Sequence, residues 1–405
     1  MGGKPGLMAV ETALVELLDS AGAPPDAETV PLSTARGRVL AEQVCSGVDV
    51  PPADNSAVDG YCLDHRYFQP GQRLPVSQRI PAGLAPTNLA PHTVGRIFTG
   101  AEVPAGADAV VMQEDSEATD DGVLLQQAPR AGQNIRPRGQ DIRKGQTVLA
   151  QGTRLRAQEL GLLASVGVDK VRVYRPLRVA ILATGDELVE PGDSLGPGQI
   201  YNSNRYTLIG LLQGLGLDIL DLGVVPDELE ATEAALIKAA AEADVVLSSG
   251  GVSVGEEDHV RVLLERMGEL RFWRLAIKPG KPFTCGQILG TPFAGLPGNP
   301  AAVFVTFLVL CRPWLLKMQG ASAQRPDLLR VVAGFSLDRA GVRQQYLRAR
   351  LVATDSGPVA EIYPNQSSGI LYSASWGNGM VVIPPGVTVS EGDTVDFLLY
   401  EQMLY

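Results

Sequence analysis

Val245-Val246-Leu247-Ser248-Ser249-Gly250-Gly251-Val252-Ser253-Val254-Gly255-Glu256-Glu257-Asp258 reads as a buried strand that ends in a glycine-rich turn and opens a helix. Three branched apolar residues in a row leave no polar face, which suits a strand covered on both sides. The same grammar repeats around it. Upstream, 178–183 predicts a strand that ends in Thr184-Gly185-Asp186-Glu187, followed by a helix over 203–215, a strand over 218–224 and a helix over 228–243. Downstream come a helix over 257–267, strands near 272–277, 283–287 and 292–296, and an apolar helix over 301–316. Continuous apolar strands alternating with helices predict an α/β module over 177–322 with a parallel sheet. Ligands bind such sheets at the carboxyl ends of the strands.

The flanks have other textures. Leu7, Val10, Leu14, Leu17 and Leu18 fall on one face at helical spacing. Residues 33–44 suggest a second helix, capped by Ser33 or Thr34 and crossed by Gly37, with Leu40 and Val44 on a shared face. The expected division is an N-terminal helical and linking unit (1–50, returning at 151–176 with a helix over 157–166), a small β module (51–150) and a C-terminal β-barrel (323–405). The fold class is therefore multidomain α/β plus β.

Composition bounds the rest. The 405 residues are 45% hydrophobic and 20% charged, the balance of ordinary globular proteins, and are too many for one core. The net charge of −11 and the lack of any Lys/Arg-rich run argue against a nucleic-acid partner. An anionic ligand in such a chain needs a local concentration of cations and N–H groups. Cys45, Cys62, Cys285 and Cys311 lie far apart and only three histidines are present, so no zinc site is legible and reduced, mostly buried thiols are expected. Glu11, Glu16 and Asp19 interrupt the N-terminal apolar pattern as a signal peptide would not tolerate. The apolar run 301–311 is shorter than the ~20 residues that span a bilayer. The expectation is a cytoplasmic protein with no membrane association.

Several segments carry chemistry. A Gly250-Gly251 turn, with Ser253 and Gly255 beyond it, lets backbone N–H groups reach a phosphate or a pterin, and the following helix adds its positive end. Glu187 and Asp258 are candidates to hold a divalent cation there; the plainer reading is a turn with acidic helix capping. Lys278-Pro279-Gly280-Lys281-Pro282 is a stiff cationic turn, although lysines in turns are usually just solvated. Gly295-Leu296-Pro297-Gly298-Asn299-Pro300 either lines a pocket or simply starts a helix. Asp54 and Asp59 sit in a polar, turn-rich stretch, where the plainer reading is that they form turns only. Arg138 can fork onto a phosphate or pair with Asp141, and residue types do not decide.

Taken in order, these strings resemble the molybdopterin molybdenumtransferases (the MoeA family, which includes the gephyrin E domain). Asn55-Ser56-Ala57-Val58-Asp59-Gly60-Tyr61 is similar to that family's N-x-S-A-M-D-G-Y/F signature. Thr99-Gly100-Ala101, Gly106 to Val111, Arg138 to Ile142, Thr184 to Leu188, the Gly250 to Asp258 loop, Lys278 to Pro282 and Gly295 to Pro300 follow in the family's order. Val58, Cys62 and Gln140 depart from its usual residues without removing a presumed catalytic group. The resemblance implies a four-part, L-shaped subunit in a homodimer. It also implies insertion of molybdate into adenylylated molybdopterin with Mg²⁺, releasing molybdenum cofactor and AMP. Asp59, Asp141, Glu187, Asp227 and Asp258 match its functional carboxylates; Thr99, Pro297 and Pro300 match other pocket positions. A molybdopterin adenylyltransferase is the implied upstream partner, and apo-molybdoenzymes or their chaperones are the recipients.

Molybdate is a dianion, so Lys278 and Lys281 are the first candidates to hold it, with Arg348 and Ser368 behind them. Two rivals remain in view. One is adenylylation itself, against which the extra β modules and the Asp59 segment argue. The other is a gephyrin-like scaffold, against which the matching carboxylates argue.

Overall fold

In the computed structural model, which describes residues 7–226, 228–250, 259–355 and 357–404, the repeated strand–helix grammar becomes one sheet. Asp218–Val225, Arg178–Thr184, Val245–Ser249 and Thr291–Leu296 lie side by side in that order, all parallel. Their middle residues are fully enclosed: Val179, Ala180 and Val245 to Leu247 are 0% exposed. Helices Val10–Asp19 and Ser203–Gly214 and the run from Pro300 cover one face; Leu229–Glu242 and His259–Met267 cover the other.

The sheet is mixed rather than wholly parallel. Pro282–Ile288 runs antiparallel to Thr291–Leu296, and Gly268–Arg274 antiparallel to Pro282–Ile288. Only Leu289 and Gly290 join the 282–288 and 291–296 strands, and two residues can make a hairpin but not a parallel crossover. Both have positive φ, +49° and +86°, the backbone of a tight hairpin turn that matches the strand twist. The stretch expected as one strand over 272–277 is divided. Its first part belongs to the edge strand, while Ile277–Lys278 leaves the sheet and pairs with Gln344–Thr354 of the C-terminal module.

The helix expected over 33–44 does not form. Leu32–Thr34 is a single 3₁₀ turn, Gly37 has φ +81°, and Val39 and Leu40 bridge to Arg154 and Val173. Once Gly37 takes the left-handed region the helical ladder is broken, and β-branched Val39 finds strand partners instead. Val10–Asp19 and Ala157–Ser165 are helical as anticipated.

The C-terminal module closes on itself. Leu329–Ala333, Gln344–Thr354, Gly357–Ile362, Gly379–Ile383 and Thr394–Leu399 form a five-stranded barrel, sealed by pairing of the 344–354 and 379–383 strands. Phe397, Val381 and Ala349, each 0% exposed, fill it. In the N-terminal half, Val76–Ile80, Val94–Ile97, Gly60–Leu63 and Ala109–Met112 make a four-stranded sheet, beside a three-stranded one that includes Gly122–Leu125.

The apolar run after Pro300 is helical for longer than its composition suggested. Pro300–Thr306 passes through a π-type stretch, Phe307–Cys311, into Arg312–Met318. Pro313 lacks an N–H, and its ring crowds the carbonyl four residues back, so the helix widens there. These 19 residues are long and apolar enough to cross a membrane by length and composition, but 89% of that span is buried inside the molecule.

Leu247 sits at the centre of the sheet with 0% exposure. Leu247→Ala should destabilise the α/β module by about 2–5 kcal/mol, the transfer and cavity cost of such truncations. Urea unfolding followed by tryptophan fluorescence measures it. A loss under ~1 kcal/mol would show that this strand is not the module's packed centre.

Candidate active site

The carboxyl ends of three parallel strands open into a cavity of about 660 Å³. Thr184 ends one strand and Glu187 follows it. Gly250 follows the second, and Pro297 to Asn299 follow the third. The opposite wall comes from the barrel: Arg343 precedes the strand Gln344–Thr354, and Gln366 to Ser368 lie on a loop beside it. Lys278 to Pro282 bridges the two walls, because Ile277–Lys278 is hydrogen-bonded to the barrel strand while Pro282 opens the next strand of the sheet.

The cavity's charge is one-sided. Lys278, Lys281 and Arg343 line it, and among the described residues none of the three is paired with a carboxylate. The one hydrogen bond of the Arg343 guanidinium goes to the Ile277 carbonyl at 3.3 Å. Glu187 is the only carboxylate in the described lining, and among the described residues its side chain makes no hydrogen bond or ion pair. Hydroxyls of Ser367 and Ser368 and the amide edges of the 297–299 turn complete the polar surface. Three cations gathered without a carboxylate between them repel one another, in a chain whose net charge is −11. Such a cluster is what a small multivalent anion requires.

The local backbone explains why the lysines stay put. Gly280 has φ +108°, and a Cβ there would collide with the Thr306 methyl, so only glycine lets the turn pack on the buried helix. Across the cavity, the Asn204 amide donates to the Gly298 carbonyl at 2.8 Å and fixes the 297–299 turn. Ala301 N–H, in the first helical turn, takes the Ser368 carbonyl at 2.9 Å. No cysteine is in the described lining, and burial pushes the thiols of Cys62 and Cys285 up to about 12.

The residues anticipated from sequence divide into groups. Glu187, Gly250, Lys278, Lys281, Pro297 and Ser368 all line the cavity. Pro300 sits behind it at the start of its helix. Arg348 does not face the cavity; it is 0% exposed, with its Nη2 on the Ser367 carbonyl at 3.0 Å. The cation the barrel presents is Arg343. Asp227, Gly251, Ser253, Gly255 and Asp258 lie outside the described residues. Arg343, Gln366 and Ser367 were missed, and only the polar Asn365-Gln366-Ser367-Ser368-Gly369 turn held any signal.

Asp59, Thr99 and Asp141 lie in the N-terminal half, and none of them lines this cavity. Asp59 Oδ1 accepts from Thr99 N at 2.8 Å and from Thr99 Oγ1 at 2.7 Å. Asp141 is exposed, and Arg138 pairs with Asp49 instead of with it. Arg138 Nε donates to Asp49 Oδ2 at 2.6 Å, and its backbone N–H donates to Asp54 Oδ1 at 2.7 Å. Asp54 thus holds a loop.

The Thr99 N–H, then the Thr99 hydroxyl, hold the Asp59 carboxyl below its ordinary 3.8. A depressed carboxyl favours the folded state at pH above the unfolded value, and that contribution is lost as pH falls through the folded value. Thr99→Val keeps the backbone donor and deletes the hydroxyl, so the Asp59 pKa should rise part of the way back. Carbon-13 NMR titration of the side-chain carboxyl reads it, and an unmoved pKa would remove the hydroxyl as a cause.

Family models match nearly the whole chain in three consecutive parts. The MoeA N-terminal region (domains I and II) matches residues 8–167, a probable molybdopterin binding domain residues 180–317, and the MoeA C-terminal region (domain IV) residues 330–400. A molybdopterin molybdenumtransferase of Haemophilus influenzae is 38% identical over 403 residues, covering 98% of this chain and 100% of its own length. One from a Nostoc species is 38% identical over 397 residues, covering 94% and 90%. A crystal structure of a molybdopterin biosynthesis MoeA protein from Pyrococcus horikoshii OT3 superimposes with a TM-score of 0.83 at 31% identity, covering 98% of this chain and 100% of that one. With the same order of modules and near end-to-end similarity, this chain belongs to the MoeA family of molybdopterin molybdenumtransferases.

Proposed function

We propose that this protein inserts molybdenum from molybdate into adenylylated molybdopterin and releases AMP with the finished cofactor. The observation that carries the reading is the cluster of Lys278, Lys281 and Arg343, unpaired with any carboxylate among the described residues and gathered with Ser367 and Ser368 at the carboxyl ends of the strands. A tetrahedral dianion presents four oxygens to such a cluster. Two ammonium groups act as point charges, the guanidinium adds planar N–H donors, and the hydroxyls donate where the cations do not reach. The relatives' shared name supplies the substrate class, molybdopterin. At about 660 Å³ the cavity is of the size that encloses a small organic ligand.

Glu187 suits Mg²⁺, since it is an unpartnered carboxylate facing the cavity and hard divalent cations take oxygen ligands. Bound there with further oxygen ligands, Mg²⁺ would offset the charge of the activated phosphate. The chain's own residues do the remainder. The lysines and Arg343 orient the oxyanion towards the dithiolene sulfurs. The 297–299 turn, pinned by Asn204, shapes the wall beside them.

Assay of AMP release from adenylylated molybdopterin, with and without molybdate, tests the reading directly. Lys281→Met should raise the half-saturating molybdate concentration about tenfold or more while leaving pterin–nucleotide affinity within about twofold. A unit charge a few ångströms from a dianion contributes more than 1.4 kcal/mol even when partly screened. Unchanged molybdate dependence would assign the lysine to another part of the substrate.

The same reading makes the working unit a homodimer with composite sites. Asp59 and Thr99 are organised as a pair, yet do not line their own chain's cavity. A second copy related by a two-fold axis can bring its own pair to that cavity. Mixing inactive Asp59→Asn and inactive Lys281→Met, Arg343→Met chains by joint refolding should restore about a quarter of wild-type activity. Half the dimers are then mixed, and each mixed dimer holds one intact site. A mixture that stays inactive despite verified mixed dimers rules out the shared site.

A further inference from the structure

Gln366 stands in the cavity wall but has no donor left for a ligand. Its Oε1 accepts from the Arg348 backbone N–H at 3.0 Å, and its Nε2 donates to the carbonyls of Arg348 at 2.9 Å and Tyr363 at 2.8 Å. A carboxamide has two N–H hydrogens, so both are committed, and a spare acceptor does nothing for an oxyanion. Arg348 backs the same loop from inside. Its Nε donates to Ser373 Oγ at 2.8 Å and its Nη2 to the Ser367 carbonyl at 3.0 Å, while Nη1 has no partner. All these acceptors are neutral, and among the described residues no carboxylate meets this fully buried guanidinium. A buried charge left without a counter-ion is expensive, and a barrel needing only stability would fill the space with apolar atoms.

The loop is strapped from both sides. Ser367 N–H donates to Asn365 Oδ1 at 3.0 Å, and the Ser368 carbonyl is held by Ala301 N–H at 2.9 Å. The two serines are therefore placed by residues that never reach the cavity contents.

We infer that Gln366 and Arg348 are positioning residues: they latch the Ser367–Ser368 lip opposite the lysines and thereby set affinity for the oxyanion, leaving the chemical step unaltered. The inference rests on the cavity's being the molybdate site. Its physical basis is pre-organisation, because donors already fixed by a second layer of hydrogen bonds lose little freedom when the ligand arrives.

The test uses the intact chain, with sodium molybdate alone as probe in equilibrium dialysis. Gln366→Leu removes all three of its hydrogen bonds. It should weaken molybdate binding about tenfold, leave kcat at saturating molybdate within about twofold, and speed hydrogen exchange in peptides covering 365–369 while 394–399 stays protected. Ser373→Ala deletes the Arg348 Nε acceptor together with the hydroxyl's own bond to the Ile370 carbonyl, and should weaken binding about threefold; it decides the matter if Gln366→Leu does not fold. Arg348→Lys keeps the charge but not the fork, and should fall between wild type and Gln366→Leu. A folded Gln366→Leu or Ser373→Ala chain with unchanged molybdate affinity overturns the latch, as does a fall in kcat at unchanged affinity. Wild-type chain that binds no molybdate and shows no molybdate-dependent AMP release would sink the functional reading itself and take this inference with it.

Discussion

The helical run from Pro300 to Met318 is apolar around most of its circumference because most of it is covered, Lys317 being exposed, and the other modules take their places from it. At its start, the Pro297–Asn299 turn forms one wall of the cavity, and the amide of Ala301 holds the barrel loop that forms another. Midway, Thr306 receives the Gly280 turn that carries both lysines. At its far end, Arg312 donates to the carbonyls of Met403, Gln402 and Gln324, tying in the C-terminus. Gln319, just beyond, takes the Leu177 N–H and donates to the Arg175 carbonyl, fixing the entry to the first strand of the sheet. The Arg312 and Gln319 side chains find backbone partners, which lets one largely apolar helix serve as a common axis.

That axis makes the electrostatics of the cavity possible. Mutual repulsion would spread Lys278, Lys281 and Arg343 apart if they sat on mobile loops. Here one lysine belongs to a segment that is hydrogen-bonded into the barrel edge, the other follows a glycine wedged on the helix, and the arginine is held by the Ile277 carbonyl. Packing energy from elsewhere in the molecule thus holds like charges together. The acidity of the rest of the chain makes the contrast sharper, since the net charge is −11 while the described lining of this cavity carries three cations and one carboxylate. The N-terminal half is organised in the opposite sense: its carboxylates, Asp49 and Asp59, are engaged by backbone N–H groups and held ionised.

Much of this was legible in the chain itself. Apolar runs at 178–183 and 245–248, each followed by a turn and a helix, specify covered parallel strands, because they are too short for a buried helix and each stops at a glycine-containing turn. The motif strings carried the family, and the cationic Lys278 to Lys281 turn is unusual in an acidic protein. Other expectations failed for local reasons. Gly37 broke the helix expected over 33–44 by taking the left-handed region, and the two-residue Leu289-Gly290 link turned a strand expected as parallel into a hairpin.

Only the tertiary structure decided which cation of the barrel meets the lysines. Arg343 and Arg348 are five residues apart at the start of one strand and equally plausible on paper. Gln344–Thr354 pairs through its first residues with Ile277–Lys278, which puts Arg343 beside the lysine turn. Arg348, further along a closing barrel strand, is carried inside. The sequence by itself determined that a cationic turn and a glycine-rich strand end would exist, since charge and backbone freedom are local properties. Which residues share a cavity depends on strand register and barrel closure, and these are set by pairings between segments tens of residues apart that no local pattern records.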